Sequence, residues 1–252
     1  MLQVQNIVKE FDGIKATDDI VFEVEDNSIC GLVGPNGSGK TTVFNLICGY
    51  LKPDKGKIFF DGKQITSLNP YKIAKLGIGR TFQNIRLFPQ ISVLDNVMLG
   101  FKYDKGEKFF SALFQAKRMK QEEKQNFLKA EGILKFVGLI KKRNALAEHL
   151  SHGQRKLLEL ARILALEPAL FLLDEPFAGL FPETKRTMLN LIRNLKERGK
   201  TILFIEHDMN SMMGVAEKVI FLNYGKKIAE GKPEEVKNNE EVLKTYLGKR
   251  KV

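Results

Sequence analysis

The chain has 252 residues, 43% of them hydrophobic, which is enough to bury a real core in one compact unit and implies no second domain. It contains no long apolar run of the kind that spans a bilayer and no leader-like N-terminal segment, so it is expected to be cytosolic and to reach a membrane only through partners. The net charge of +11 admits anionic partners, yet the lysine groups Lys117 to Lys124, Lys141-Lys142-Arg143 and Lys249-Arg250-Lys251 lack the interleaved aromatics of a single-strand nucleic-acid binder and read as solvated faces.

Two partly alternating stretches open the chain, Leu2 to Phe11 and Asp18 to Val24, and predict antiparallel strands. An apolar run, Ile29 to Val33, then enters Gly34-Pro35-Asn36-Gly37-Ser38-Gly39-Lys40-Thr41, which fits the pattern G-x-x-x-x-G-K-[S/T]. A strand, a glycine loop and a helix in that order are what a phosphate cradle needs. Backbone N–H groups converge on phosphate only where side chains leave room, and the helix N-terminus favours the anion. Lys40 would reach the β- and γ-phosphates, and the Thr41 hydroxyl would ligate Mg²⁺. The helix should run to about Tyr50, followed by a turn at Pro53-Asp54-Lys55-Gly56 and a strand from Lys57 to Phe60 closed by Asp61-Gly62. Cys30 and Cys48 lie in apolar contexts without a C-x-x-C spacing, which predicts two buried reduced thiols and no metal site.

From Ser92 to Lys142 the pattern turns helical and highly charged. Leu150-Ser151-His152-Gly153-Gln154 then precedes a helix with one apolar stripe, Leu157, Leu158, Leu160, Ala161 and Leu164. A serine hydroxyl and unpaired N–H groups at that helix start would make a second anion site. Ala169 to Leu173 predicts a buried parallel strand ending in Asp174-Glu175-Pro176, a Walker B arrangement. Asp174 would hold Mg²⁺ through its water shell, and Glu175 would polarise the water that attacks the γ-phosphate. A strand from Thr201 to Glu206 and a hairpin from Lys218 to Glu230, turning at Tyr224-Gly225, complete the pattern.

LSHGQ upstream of Asp174-Glu175 resembles the LSGGQ signature of the ATP-binding cassette (ABC) family, and the resemblance extends from about Leu2 to Gly248. It implies an α/β fold: a P-loop NTPase core with an antiparallel β subdomain and an inserted helical subdomain. The chain would be a single domain, with the core at about 1–90 and 151–252, helical subdomain at about 91–150 and a C-terminal helical extension at about 231–252. By resemblance, Gln83 in Arg80-Thr81-Phe82-Gln83 is the Q-loop glutamine, His207 the switch histidine and Phe11 the aromatic stacked on adenine. ATP would be held by Phe11, Gly34, Pro35, Asn36, Gly37, Ser38, Gly39, Lys40, Thr41 and Thr42, and Mg²⁺ by Thr41, Gln83 and Asp174. Ser151, Gly153 and Gln154 would reach nucleotide bound to a second subunit, making ATP the glue of a head-to-tail dimer. The implied catalytic set is Lys40, Gln83, Glu175 and His207.

Weaker signals choose the branch. Gly79-Arg80-Thr81-Phe82-Gln83-Asn84-Ile85-Arg86-Leu87-Phe88, Asp95-Asn96-Val97, the lysine-rich insert after Gly100, Ala178-Gly179-Leu180 and the tail from Gly231 to Gly248 resemble the ATPases of branched-chain amino acid importers. The tail is shared with lipopolysaccharide-export ATPases, which usually lack the RTFQ stretch. The partners implied are transmembrane permease subunits, a second cassette that is a copy or a paralogue, and indirectly a solute-binding protein, at the cytoplasmic face of a membrane and without nucleic acid. A nucleic-acid or ribosome cassette would carry coiled coils, a zinc module or two cassettes, and a purely structural cassette is opposed by intact Lys40, Asp174, Glu175 and His207. Leu87, Phe88, Val93, Leu94 and the loop near Phe101 suit either a transport-coupling groove or a core, and Phe109 to Phe114 either a docking patch or packing of the insert. Two positions depart from the family pattern: His152 stands where glycine is usual, and Phe181 where Asp or Asn is usual.

Overall fold

The computed structural model describes residues 1–83, 85–101, 112–207 and 209–247, apart from the side chains of 112–120, 210, 211, 246 and 247. The chain divides into two compact units, one of Met1–Gln83, Pro168–Ala178 and Lys185–Val252, the other of Asn84–Glu167 and Gly179–Thr184.

In the first unit, β1 (Leu2–Phe11) and β2 (Ile14–Val24) pair antiparallel. The alternation of β1 slips at Asn6, which adopts a positive φ of 49° where the ladder to its neighbours shifts register. Next in the chain come β3 (Ile29–Val33), α1 (Lys40–Ile47), β4 (Lys55–Phe60), β5 (Lys63–Gln64), α2 (Pro70–Leu76) and β6 (Ile78–Arg80). After the second unit's helices α3 (Val93–Met98), α4 (Ala112–Phe136) and α5 (His152–Leu164), the first unit resumes with β7 (Leu170–Asp174). Helix α6 (Pro182–Glu197) follows, then β8 (Thr201–Glu206), α7 (Met209–Met213), β9 (Lys218–Asn223), β10 (Lys226–Gly231), α8 (Pro233–Lys237) and α9 (Glu240–Leu247).

Two sheets result. The antiparallel one runs β2-β1-β4-β5, and the six-stranded one runs β10-β9-β3-β8-β7-β6. Strands β3, β7 and β8 are buried at every residue, which is why they read as continuous apolar runs and show no alternation. β6, β7, β8, β3 and β9 are mutually parallel and β10 closes the edge antiparallel. The turn between β9 and β10 is Tyr224-Gly225, both at positive φ, as a two-residue hairpin of matching twist requires. One contiguous core joins both sheets, with Phe22, Phe44 and Phe60 among its largest buried side chains. Both cysteines are free and buried; burial pushes the Cys30 thiol up to about 12 and the Cys48 thiol up to about 11, so neither is a nucleophile at neutral pH.

The second unit is helical. α3 packs on α4 and α5, and Val93, Val97, Leu134, Leu158 and Ala161 are buried among its helices. The unit continues through α5, past the position of about 150 that the family resemblance implied for its end, and α5 packs on α3 and α4. Several elements differ from the sequence expectation. β2 begins at Ile14, four residues before the expected start at Asp18. β4 begins at Lys55, inside the expected turn. Helix α2 and strand β6 were not anticipated, although Asn69 caps α2 by accepting from the Lys72 N–H at 3.0 Å, Pro70 occupies its first turn and Gly77 ends it. No described helix is long and apolar enough to cross a membrane.

Candidate nucleotide site

Strand register sets the geometry of the site. Val33 lies opposite Glu206 and Asp174 opposite Ile205, so β3, β8 and β7 end at one edge of the sheet. The glycine loop, His207 and Glu175 therefore leave the sheet side by side, at the carboxyl edge where α/β folds place ligands. The loop's base is buried at Gly34 and Ser38, while Asn36 and Gly37 are exposed. Gly39 takes φ 101°, and a Cβ there would lie 2.3 Å from the Ala16 carbonyl oxygen, so no other residue fits the start of α1. α1 has no side-chain cap, which leaves its leading N–H groups directed at the loop. From behind, the Gly225 N–H donates to the Ser38 carbonyl at 3.1 Å and the Asp18 N–H to the Gly225 carbonyl at 2.7 Å, fixing the loop on the β9–β10 turn. Lys40 is buried, and its Nζ donates to the carbonyls of Gly34 at 2.7 Å and Pro35 at 2.8 Å. Thr41 is exposed and Thr42 half-buried in the first turn of α1.

At the end of β7, Asp174 is buried. Its backbone N–H donates to Thr81 Oγ1 at 2.8 Å, and its Oδ2 accepts from Arg80 Nη2 at 3.1 Å. Glu175 takes a φ of 47°, a left-handed conformation that side chains rarely adopt and that clusters at functional sites. The turn after it is held by Glu206, whose buried Oε1 accepts the Phe177 N–H at 3.1 Å. Glu206 Oε2 lies 3.8 Å from Nδ1 of His207, whose ring is half-exposed. Gln83 is exposed just beyond β6. Among the described residues no three of His, Cys, Asp and Glu are grouped to hold a metal by themselves. A hard cation here would have one buried carboxylate, Asp174, and would take its remaining ligands from phosphate and water, which is how Mg²⁺ is commonly bound beside a nucleotide.

The second unit carries the LSHGQ loop. Ser151 caps α5, its Oγ accepting the Gln154 N–H at 3.3 Å, and Gln154 Oε1 accepts the Ser151 N–H at 3.1 Å. The backbone at the start of α5 is thus fixed by two reciprocal hydrogen bonds. His152 packs on Gly179, where φ is 70° and a Cβ would lie 3.2 Å from Nε2 of the imidazole. The extra side chain of His152 has been accommodated by a glycine in the loop after Walker B. Phe181, in the same loop, is 83% exposed.

A family model described as "ABC transporter" matches residues 17–178, most of the chain. The chain belongs to the ATP-binding cassette family. A second model, "Branched-chain amino acid ATP-binding cassette transporter", matches residues 226–252 of the cassette. Over 249 residues the cassette is 36% identical to the high-affinity branched-chain amino acid transport ATP-binding protein BraF of Pseudomonas aeruginosa, covering 98% of each chain. Among solved structures it is similar to a cassette of an ABC transporter in its ADP conformation, with a TM-score of 0.84, 35% identity and 98% of each chain covered. It is also similar to a dimeric cassette in a post-hydrolysis state bound to ADP and phosphate, with a TM-score of 0.76, 28% identity and coverage of 92% of this chain and 99% of that one. The cassette is accordingly an ATPase of the P-loop type, with the expected α/β fold.

Burial distinguishes the remaining expected positions. Phe11 stands at the exposed end of β1, 43% accessible, with Lys9 Nζ 5.4 Å from its ring centroid. Of the residues suited to a coupling groove or a core, Val93, Leu94 and Phe101 are buried within the helical unit, while Phe88 is exposed under the Arg162 guanidinium, 5.3 Å from its ring centroid. Arg162 also donates to the Arg86 carbonyl, and buried Asn96 grips Phe88 by accepting its N–H at 3.0 Å and donating to its carbonyl at 2.9 Å. The side chains of the Phe109 to Phe114 segment lie outside the described residues. Sequence reasoning missed Arg80, Thr81, Asn45 and Glu206, which hold the Walker B end in place. Their partners are distant in the chain, so the only signal was the RT that precedes Phe82-Gln83 and a lone charge ending an apolar strand.

Proposed function

We propose that this cassette powers uptake of branched-chain or other hydrophobic amino acids through transmembrane permease subunits at the cytoplasmic face of a membrane, fed indirectly by a solute-binding protein. What supports this reading most is the likeness to BraF across 98% of both chains, together with the branched-chain match at residues 226–252. In this reading ATP lies on the Gly34–Thr42 loop, with Lys40 leaving its loop carbonyls for the β- and γ-phosphates and Phe11 against the adenine. Mg²⁺, held by Asp174, Thr41 and Gln83, would neutralise charge on the β- and γ-phosphoryl oxygens. Glu175 takes a proton from the attacking water as its oxygen bonds to the γ-phosphorus, and the bond to the β-phosphate oxygen breaks to release ADP. His207, backed by Glu206, holds water and γ-phosphate in line. Ser151, Gly153 and Gln154 close on the nucleotide of a second cassette. The capping box already fixes the backbone at Ser151 and Gln154, which lowers the ordering cost of that closure.

The test is to tag the cassette, copurify its membrane partners, and measure uptake of labelled leucine, isoleucine and valine into proteoliposomes of the purified complex. ATP-dependent accumulation of these solutes, abolished by Glu175→Gln, is the expected result. A complex that hydrolyses ATP but moves none of them would end the amino acid assignment while leaving the ATPase intact.

A further inference from the structure

The guanidinium of Arg80 is buried and bonded at both terminal nitrogens, with its Nε buried and without a hydrogen-bond partner, and nothing in the reaction as described uses it. It leaves β6 opposite Leu172 of β7. Nη2 donates to Asp174 Oδ2 at 3.1 Å and Nη1 to Asn45 Oδ1 at 2.7 Å, and the two side chains of the ion pair are 6% and 3% exposed. Three rings surround it, with its Cζ 5.1 Å from the Phe82 centroid, 5.5 Å from Phe44 and 5.9 Å from Tyr50. One planar group thus ties the carboxylate at the end of β7 to α1, the helix that carries the phosphate loop, and to Phe82, the neighbour of Gln83. Its chain neighbour Thr81 holds the backbone of the same aspartate.

We infer that Arg80 is a positioning residue for the metal-side carboxylate: it fixes the orientation of Asp174 relative to the phosphate loop, so that a divalent cation meets a preset ligand. The inference rests on the reading of Asp174 as the metal-side acid. A buried counter-charge would need only the Asp174 contact. The second bond to Asn45 and the aromatic box instead specify where the guanidinium plane lies, as groups behind a metal ligand do. Lysine cannot reproduce this, because a single ammonium has neither the fork that spans Asn45 and Asp174 nor the flat face that packs between rings.

The experiment uses the full chain saturated with a non-hydrolysable ATP analogue, reading the affinity for Mn²⁺, a paramagnetic stand-in for Mg²⁺, by electron paramagnetic resonance. Affinity for the analogue is measured separately in chelator. Arg80→Lys and Arg80→Gln are each expected to weaken Mn²⁺ binding about 10-fold, the scale seen for groups that orient metal ligands, with nucleotide affinity in chelator unchanged. Asn45→Ala, which keeps the ion pair and removes only the second anchor, should give a smaller loss of the same sign. It serves as the test if the Arg80 variants do not fold. Tighter Mn²⁺ binding in Arg80→Gln would make Arg80 a mere counter-charge and overturn the inference. Unchanged Mn²⁺ affinity in the Arg80 and Asn45 variants, with a clear loss in Asp174→Asn, would overturn it alone. No loss in Asp174→Asn would remove the reading beneath it as well.

Discussion

The end of β7 and the loops of the helical unit both carry expected site residues, yet they are built on opposite principles. Asp174 is buried, bonded through its backbone to Thr81 and through its side chain to Arg80, and the following turn is pinned by a buried Glu206. Ser151 and His152 are exposed, and Phe181 presents 83% of its surface to solvent. The first region is tied together by bonds between β6, β7 and β8. The second is held by its capping box and by the contact of His152 with Gly179, and under the proposed function its exposed residues would meet a second cassette.

Substitutions can break this contrast in descending order of effect. Glu175→Gln keeps the backbone and the volume but cannot accept a proton, so hydrolysis should fall on the order of 10²- to 10⁴-fold with ATP binding retained; normal turnover would remove Glu175 from its role. Phe204→Ala should destabilise the chain by about 3–5 kcal/mol in chemical denaturation, since Phe204 is fully buried with its ring 5.8 Å from that of Phe177. Phe181→Ala should stay within about 0.5 kcal/mol of the parent in the same assay while weakening self-association. If Phe181→Ala proved as destabilising as Phe204→Ala, the exposed loop would be a structural element of the monomer and the contrast would fail. Ser151→Ala removes one arm of the capping box and should cost about 1 kcal/mol, read as a lowered melting temperature of the nucleotide-free chain.

The smallest effect is a pH dependence away from both regions. Burial acts to raise the Glu230 carboxyl, but hydrogen bonds from Lys218 and Lys227 outweigh it and hold the group below its usual value. A lowered folded-state value means the stabilisation is fully present above the ordinary carboxylate value and is lost as pH falls from there through the lowered folded-state value. The melting temperature of Glu230→Gln should therefore lie below that of the parent at about pH 6, and the gap should narrow only as pH falls below the ordinary glutamate value of about 4.3 toward the lowered folded-state value. A constant gap across that window would show that the loss is packing and not charge.

The sequence made the phosphate loop legible because glycine spacing and an apolar strand are local signals, and the carboxylates were legible because they end another such strand. The hairpin at Tyr224-Gly225 followed from turn chemistry in the same way. What stayed hidden depends on long-range register. Arg80 and Thr81 meet Asp174 only because β6 pairs with β7 across most of the intervening helical unit, and β6 is three residues long, too short to show a period. Glu206 looked like the polar end of a strand until its partner, the Phe177 N–H, was known. Helix α2 is different: its signals at Asn69, Pro70 and Gly77 are local and legible in the sequence, and they were passed over. The accommodation of His152 could not be read from LSHGQ alone, since the glycine that receives it lies beyond the Walker B strand.

The claim that one half of the site is complete in the monomer and the other is completed by a second cassette is tested most directly by light scattering of Glu175→Gln in ATP, in ADP and without nucleotide. The account predicts a dimer in ATP and a monomer in the other two conditions. A chain that binds ATP and stays monomeric at every concentration would contradict completion by a copy of this chain and leave only a paralogue as the second cassette.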